Sequence, residues 1–176
     1  HAHGALLIVY EAHGAHFCFG GGFPQNAIAL GADAVIVSLH KTLPAFTQTA
    51  LLPLGGMREA AVEKFLGIYE TSSPSYVLMT GIERCIHYVR DNKETAFAQF
   101  RSRLDRFYQK VSGLSHLNVV RKSDFSADEA YDFDESKIII FTKEAMNGHT
   151  LLELLLKKYE LQLEMAAGNY VLALAS

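Results

Sequence analysis

The sequence has no tryptophan, four prolines and two cysteines among its 176 residues. Cys18 and Cys85 form neither a disulfide framework nor a metal-ligand spacing, so a reducing, cytoplasmic location is expected. No apolar run approaches the roughly eighteen residues that a membrane-spanning helix needs, and no signal-peptide pattern is present. The formal net charge is −3 and the basic residues are scattered, which indicates neither a nucleic-acid surface nor a membrane partner.

A lysine-containing stretch, Ser38-Leu-His40-Lys41-Thr-Leu-Pro44, follows a short apolar run at residues 34–37. The run predicts a buried strand, and Pro44 disfavours continuation into a helix. Lys41 is therefore expected on a loop at the end of a strand. A lysine amine in that position can form a Schiff base with a carbonyl compound, provided its surroundings lower its proton affinity.

A second polar stretch, Glu11-Ala-His13-Gly-Ala-His16, follows another short apolar run at residues 6–10. Two strands that each end in a polar loop are typical of a site at the carboxyl edge of an open α/β sheet. Glu11, His13 and His16 also suggest metal ligands, but their spacing matches no established zinc pattern, and we expect no metal.

These stretches together resemble the Orn/Lys/Arg decarboxylase family, pyridoxal-phosphate enzymes of the aspartate-aminotransferase fold type. The resemblance rests on the two stretches above, on Thr47-Gln48, on Tyr69-Glu-Thr-Ser-Ser-Pro-Ser-Tyr76 and on Leu163-Glu-Met165. It implies an α/β fold. Residues 1–115 would be the second half of a fold-type I large domain, a mostly parallel sheet with flanking helices. Residues 116–176 would be part of a small α+β domain, and the chain would be a fragment.

The resemblance also implies roles for residues in the two polar stretches. Lys41 would carry pyridoxal 5'-phosphate covalently and, once freed, return a proton to the substrate. Ser38 and His40 would contact the phosphate, and Ala12 would pack against one face of the cofactor ring. His13 would lie near the phenolic oxygen of the ring as a second catalytic residue.

Residues farther along the chain are assigned by the same resemblance. Ser72 and Ser73 precede a predicted helix, and a helix N-terminus with free hydroxyls can bind an anion. They would reach the cofactor phosphate of a neighbouring subunit in a homodimer or higher homo-oligomer. Glu164 would face a basic amino-acid substrate. The alternative for Ser72 and Ser73 is a helix cap without a ligand, and for Glu164 an exposed strand residue.

Tyr10 departs from the family pattern, which has an aspartate that pairs with the protonated pyridine nitrogen of the cofactor. A tyrosine with a reference pKa of about 10 is neutral at pH 7. Loss of one partner of a buried charge pair costs about 3–5 kcal/mol, so we expect a poor decarboxylase. Glu11 points to the opposite face of the strand and can substitute only through a bulge or a slipped register.

The leading hypothesis is pyridoxal-phosphate-dependent decarboxylation of lysine, ornithine or arginine to its amine, a lyase reaction of polyamine metabolism. Alternatives are an aminotransferase or another lyase of the same fold, since one fold supports several chemistries. A third is a non-catalytic domain retained for assembly, which Tyr10 favours.

Sequence periodicity and turn residues predict the order of the elements. Strands are expected at 5–10, 34–37, 48–53, 118–120, 137–142, 161–165 and 170–175. Helices are expected at 24–30, from 55 to 68, from Pro74 through Val89, and at 94–111 and 149–159.

Overall fold

A computed structural model describes residues 4–20, 22–57, 59–70 and 73–175 and shows an α/β chain. The strands are β1 (Ile8–Tyr10), β2 (Ala34–Ser38), β3 (Ala50–Leu51), β4 (Asn118–Val119), β5 (Lys137–Phe141), β6 (Met165–Ala167) and β7 (Tyr170–Leu174). The helices are α1 (Glu59–Tyr69), α2 (Tyr76–Val111) and α3 (Gly148–Tyr159), with short 3₁₀ turns at Leu39–Lys41 and Lys122–Asp124.

The first compact unit comprises residues 1–20 and 24–96. Its three described strands form a sheet in the order β1-β2-β3, in which β1 and β2 are parallel and β2 and β3 are antiparallel. The sequence predicts a mostly parallel sheet, and of these two pairings only that of β1 with β2 is parallel. Alternate residues of β2, Val35 and Val37, are buried with Leu39 in one apolar cluster, because successive strand residues face opposite sides of a sheet.

The second compact unit comprises residues 21–23 and 97–176. Its four described strands form an antiparallel sheet in the order β4-β5-β7-β6. One cluster places Leu104 and Tyr108 of α2 against Ile138 of β5. A second cluster places Leu151 of α3 against Val171 of β7, so the unit has α+β architecture.

Helix α2 runs unbroken for 36 residues, whereas the sequence predicted two helices in this region. The chain has no proline between Pro74 and the end of the helix, so nothing forces the backbone to stop near residue 90. The change between the two compact units falls inside this helix, between Ala96 and Phe97. The domain boundary predicted at residue 115 stays a prediction. Within the described ranges, no helix is both long and apolar enough to cross a membrane.

The helix predicted at 24–30 is wrong, because this segment forms turns. Asn26 caps a single turn by accepting the Ala29 N–H at 2.8 Å. Gly31 then adopts φ +94°, which ends the turn. A segment this short forms too few helical hydrogen bonds to offset the cost of starting a helix.

Three element boundaries also differ from the prediction. The amides of Gly55, Gly56 and Met57 donate to the Asp33 carbonyl at 2.9–3.3 Å, which uses these residues in a turn and delays α1 to Glu59. β3 is shortened to two residues, and Gln48 before it has φ +69°. The strand predicted at 161–165 begins only at Met165, after α3 has ended in a left-handed residue.

Candidate active site

Two segments of predicted site residues lie at one edge of the first sheet. β1 and β2 are parallel with Tyr10 opposite Ile36, so the residues that follow the two strands emerge at the same edge. The Glu11 amide donates to the Ile36 carbonyl at 2.9 Å and extends this pairing by one residue. The structure therefore places the Glu11–His13 turn and the Leu39–Lys41 turn at the shared carboxyl edge.

Lys41 is the last residue of a 3₁₀ turn and not part of an open loop. The Leu43 amide donates to the Leu39 carbonyl at 2.9 Å, and Ser38 occupies the N-cap position before the turn. Lys41 itself is half-buried. A short turn with a backbone hydrogen bond holds the lysine backbone close to the end of β2.

His40 is held by a contact to the backbone of Thr49. Its Nδ1 lies 2.9 Å from the Thr49 carbonyl oxygen, which can only accept, so Nδ1 is the donor. The neutral ring then offers Nε2 as an acceptor, and it donates to a phosphate only after taking up a second proton. Thr49 is 1% exposed and donates its hydroxyl to the Phe46 carbonyl at 2.6 Å, so the residue that holds His40 is itself buried and hydrogen-bonded.

Two hydroxyl groups beside Lys41 are available to a ligand. Ser38 is buried and makes no side-chain capping hydrogen bond. The Thr42 hydroxyl oxygen is buried and has no hydrogen-bond partner among the described residues. A buried hydroxyl without a partner is costly unless a ligand or water satisfies it. These donors fit an anionic group such as a phosphate. The sequence reasoning missed Thr42, although it follows Lys41 directly.

The turn after β1 is tightly packed. Ala12 is 2% exposed, so its methyl group is largely covered by this chain, while His13 is half-buried. A Cβ at Gly14 would lie 2.5 Å from Cγ of Glu11 and 2.8 Å from the Phe17 ring, so only glycine fits there. The packing of Ala12 against a cofactor ring stays a prediction. It requires some of the residues that cover the Ala12 methyl group to move.

Glu11 anchors the next segment of the chain. Its Oε2 accepts the Ala27 N–H at 2.8 Å. Burial raises the pKa of the Glu11 carboxyl, an effect opposed by the Ala27 hydrogen bond and by the electrostatic influence of His16. The register of β1 against β2 is continuous, with no bulge or slip. Glu11 therefore does not take the place of the aspartate that the family pattern has at position 10.

Tyr10 lies on the face of the sheet that carries no part of the described apolar cluster. It is 72% exposed, and its register partner Ile36 is 37% exposed. A phenol in this position offers a neutral hydrogen bond from a water-accessible site. Among the described residues, no three histidine, cysteine, aspartate or glutamate side chains are grouped as a metal ion would require.

The remaining predicted residues lie farther along the chain. Ser72 is outside the described residues, and Ser73 is exposed. It is Ser75 whose hydroxyl accepts the Leu78 amide, at 3.4 Å, at the start of α2. Glu164 belongs to the second compact unit and is exposed, and its backbone amide donates to the Leu172 carbonyl at 2.9 Å. The roles predicted for Ser72, Ser73 and Glu164 stay predictions.

Comparison with known families decides the assignment of this chain. A model of the major domain of Orn/Lys/Arg decarboxylases matches residues 1–137. The chain belongs to the Orn/Lys/Arg decarboxylase family. Family membership confirms the resemblance drawn from the two polar stretches.

The curated relatives of this family member are much longer than it is. The chain is 32% identical over 176 residues to the "Uncharacterized protein YaaO" of Bacillus subtilis, covering 98% of this chain and 36% of that protein. It is 24% identical over 179 residues to an arginine decarboxylase of Bacillus anthracis, covering 100% of this chain and 36% of that protein. The chain thus spans little more than a third of the length of these relatives.

Two solved structures share its fold. The constitutive lysine decarboxylase of Escherichia coli matches with a TM-score of 0.58 at 18% identity, covering 80% of this chain and 25% of that one. An alanine–glyoxylate aminotransferase from Nostoc sp. matches with a TM-score of 0.64 at 13% identity, covering 96% of this chain and 48% of that one. At these identities the likeness concerns the fold alone.

Proposed function

We propose that this chain is the cofactor-attachment part of a pyridoxal-phosphate-dependent decarboxylase that converts lysine, ornithine or arginine to its amine. In this proposal residues 1–115 are the second half of a fold-type I large domain, and residues 116–176 belong to a small α+β domain. The observation that carries it is the parallel pairing of β1 and β2, which brings the Glu11–His13 turn and Lys41 to one sheet edge in a member of this family.

The donor set around Lys41 fits the cofactor. Lys41 would hold the aldehyde carbon of pyridoxal phosphate through its Nζ. Ser38 and Thr42 would donate their hydroxyl protons to phosphate oxygens, which would satisfy the buried Thr42 oxygen. His40 would add a third donor when protonated, because its Nδ1 is already committed to the Thr49 carbonyl.

The cofactor, when bound, supplies an electron sink for the pair left by the departing carboxylate. Lys41 Nζ is the group that can return a proton to the substrate Cα. His13 would contact the phenolic oxygen, and Tyr10 would offer the pyridine nitrogen a neutral hydrogen bond in place of a carboxylate. The missing negative charge is the reason we propose a weak enzyme.

Further parts of the proposal concern assembly and substrate. Ser72 and Ser73 would reach the phosphate of a neighbouring subunit in a homodimer or larger homo-oligomer. Glu164 would pair with the distal cationic group of the substrate, since a carboxylate favours a nearby positive charge. A cytoplasmic location rests on the cysteine content, and both cysteines are free thiols in the structure.

Covalent trapping tests the proposal directly. The chain is incubated with pyridoxal phosphate, reduced with borohydride and digested for peptide mass spectrometry. We expect one pyridoxyl group on Lys41, its loss in Lys41→Arg and its retention in Lys64→Arg, a matched change on the exposed helix α1. Modification spread evenly over many lysines, or retained in Lys41→Arg, would contradict the proposal.

Product analysis separates the decarboxylase from the alternatives. An amine product and released carbon dioxide indicate decarboxylation, whereas a keto acid indicates an aminotransferase, whose fold this chain shares. The absence of either product from lysine, ornithine and arginine, together with a failure to trap cofactor, would favour the assembly domain.

A further inference from the structure

The first compact unit contains a cavity of about 440 Å³ on the opposite face of the sheet from Tyr10. Its floor is formed by Val35, Val37 and Leu39, and helix α2 closes one side with Cys85 and Val89. All five of these residues are at most 8% exposed. None of the candidate cofactor residues that the structure describes lines this cavity, although Leu39 belongs to the same 3₁₀ turn as two of them.

The size and lining of the cavity are those of a small-molecule site. Ligand pockets in proteins commonly have volumes of about 300–1,000 Å³, with mostly apolar walls and a few polar groups that orient the ligand. Apolar walls favour an apolar body, because the transfer of apolar surface out of water is favourable. The apolar residues named above offer no hydrogen-bonding side chain, so a polar group of the ligand must lie elsewhere.

The cationic groups in the lining lie along one side of α2. Arg90 and Lys93 both line the cavity and are one helical turn apart. Arg90 forms an exposed ion pair with Asp91 at 2.7 Å, whereas Lys93 forms no ion pair within the described part of the chain. Glu11 also lines the cavity, but its carboxylate is engaged by the Ala27 amide. Lys93 is therefore the charge available to a ligand.

We propose that this cavity binds an amphipathic carboxylate, with an aliphatic or aryl body on Val35 and Val37 and its carboxylate at Lys93. An amine of the same shape would place its positive charge near Lys93 and leave Lys93 without a partner. The site is distinct from the proposed cofactor site, because the cavity lining includes none of the candidate cofactor residues that the structure describes.

Calorimetric titration of the chain with octanoate and with octylamine tests the charge preference. We expect saturable one-to-one binding of octanoate and several-fold weaker binding of octylamine. Lys93→Gln should weaken octanoate binding by about two- to fivefold, as for an exposed ion pair, while Lys110→Gln at the end of α2 leaves it unchanged. Equal binding of the amine, an unchanged affinity in Lys93→Gln, or no binding because polypeptide fills the cavity would each overturn the proposal.

Filling the cavity tests its location. Val89→Trp places an indole in the cavity, and Ile86→Trp narrows it from a position that is 48% exposed and tolerates size more easily. We expect either variant, shown by circular dichroism to be folded, to lose octanoate binding, while Ile68→Trp on α1 binds normally. Octanoate should also slow alkylation of Cys85 in a Cys18→Ser background. Retained binding in both cavity variants, or an unprotected Cys85, would overturn the proposal.

Discussion

The replacement Tyr10→Asp, compared with Tyr10→Asn, isolates the charge that the family pattern has at this position. Both variants remove the phenol and have nearly the same shape, but only aspartate is negative at pH 7. A negative charge beside a protonated pyridine nitrogen stabilises the charged ring. We therefore expect the aspartate variant to bind pyridoxal phosphate more tightly than the asparagine variant.

The exposure of Tyr10 sets the size of this difference. A buried charge pair that loses one partner costs about 3–5 kcal/mol, and an exposed pair contributes only about 0.2–1 kcal/mol. Tyr10 is 72% exposed in this chain, so the smaller range applies. It corresponds to a roughly 1.4- to 5-fold difference in dissociation constant. The expectation from sequence alone is a decarboxylation rate lower by about two to four powers of ten, and it assumes that position 10 is buried.

Absorbance titration with pyridoxal phosphate measures both dissociation constants under the same conditions. Raising the salt concentration should narrow the gap between the variants, because exposed charges are screened. Equal affinities for the aspartate and asparagine variants would refute the argument. If the two dissociation constants differ by a hundredfold or more, position 10 is not exposed in the complex and is enclosed when the cofactor binds.

Three further predictions concern stability. Gly148→Ala should destabilise the chain by about 1–3 kcal/mol in urea unfolding, since its Cβ would lie 2.2 Å from the Tyr170 carbonyl oxygen. Gly113 has open space around it, so Gly113→Ala should change stability by less than about 0.5 kcal/mol. The pKa of Glu11 is higher in the folded chain than its ordinary value of 4.5. Its contribution to the free energy of unfolding should therefore be present below pH 4.5 and lost as pH rises through the higher folded pKa. Glu11→Gln should remove this pH dependence and keep the hydrogen bond to the Ala27 amide. Burial raises the pKa of Tyr108 from 10.0 to about 12. Unfolding measured from pH 10 to 12 should therefore show a loss of stability that is absent in Tyr108→Phe. If the variant loses stability to the same extent, the loss does not come from Tyr108.

The edge that carries the candidate site could be predicted from the sequence because it depends on local patterns. Short apolar runs predict β1 and β2, and a polar residue after each run predicts a shared carboxyl edge once the strands are parallel. The 3₁₀ turn at Lys41 and the hydroxyl of Thr42 could not be predicted in this way. Both depend on hydrogen bonds that form only when the chain after β2 folds back on Leu39.

Errors in the predicted elements arose where distant residues determine the backbone. The turn that delays α1 exists because three amides converge on the Asp33 carbonyl, a contact between segments about twenty residues apart. The single helix α2 was divided in the prediction because its apolar stripe changes partners along its length. Its first part packs Ile82 into the cluster of β2, and its last part packs Leu104 into the cluster of β5. A helix whose two parts pack in different apolar clusters carries no single periodic pattern, so its sequence does not predict one continuous helix.

The two sides of the first sheet have different consequences for function. The side that bears Val35 and Val37 is packed and holds the apolar cavity, and Glu11 is fixed there by the Ala27 amide. Tyr10 on the other side is 72% exposed, so a substitution at this position costs little stability. An aspartate could therefore be replaced by tyrosine at position 10 without loss of the fold, whereas Glu11 could not turn to replace it without breaking its hydrogen bond. In the proposed function, this geometry permits loss of the negative charge at position 10 with retention of the Lys41 turn.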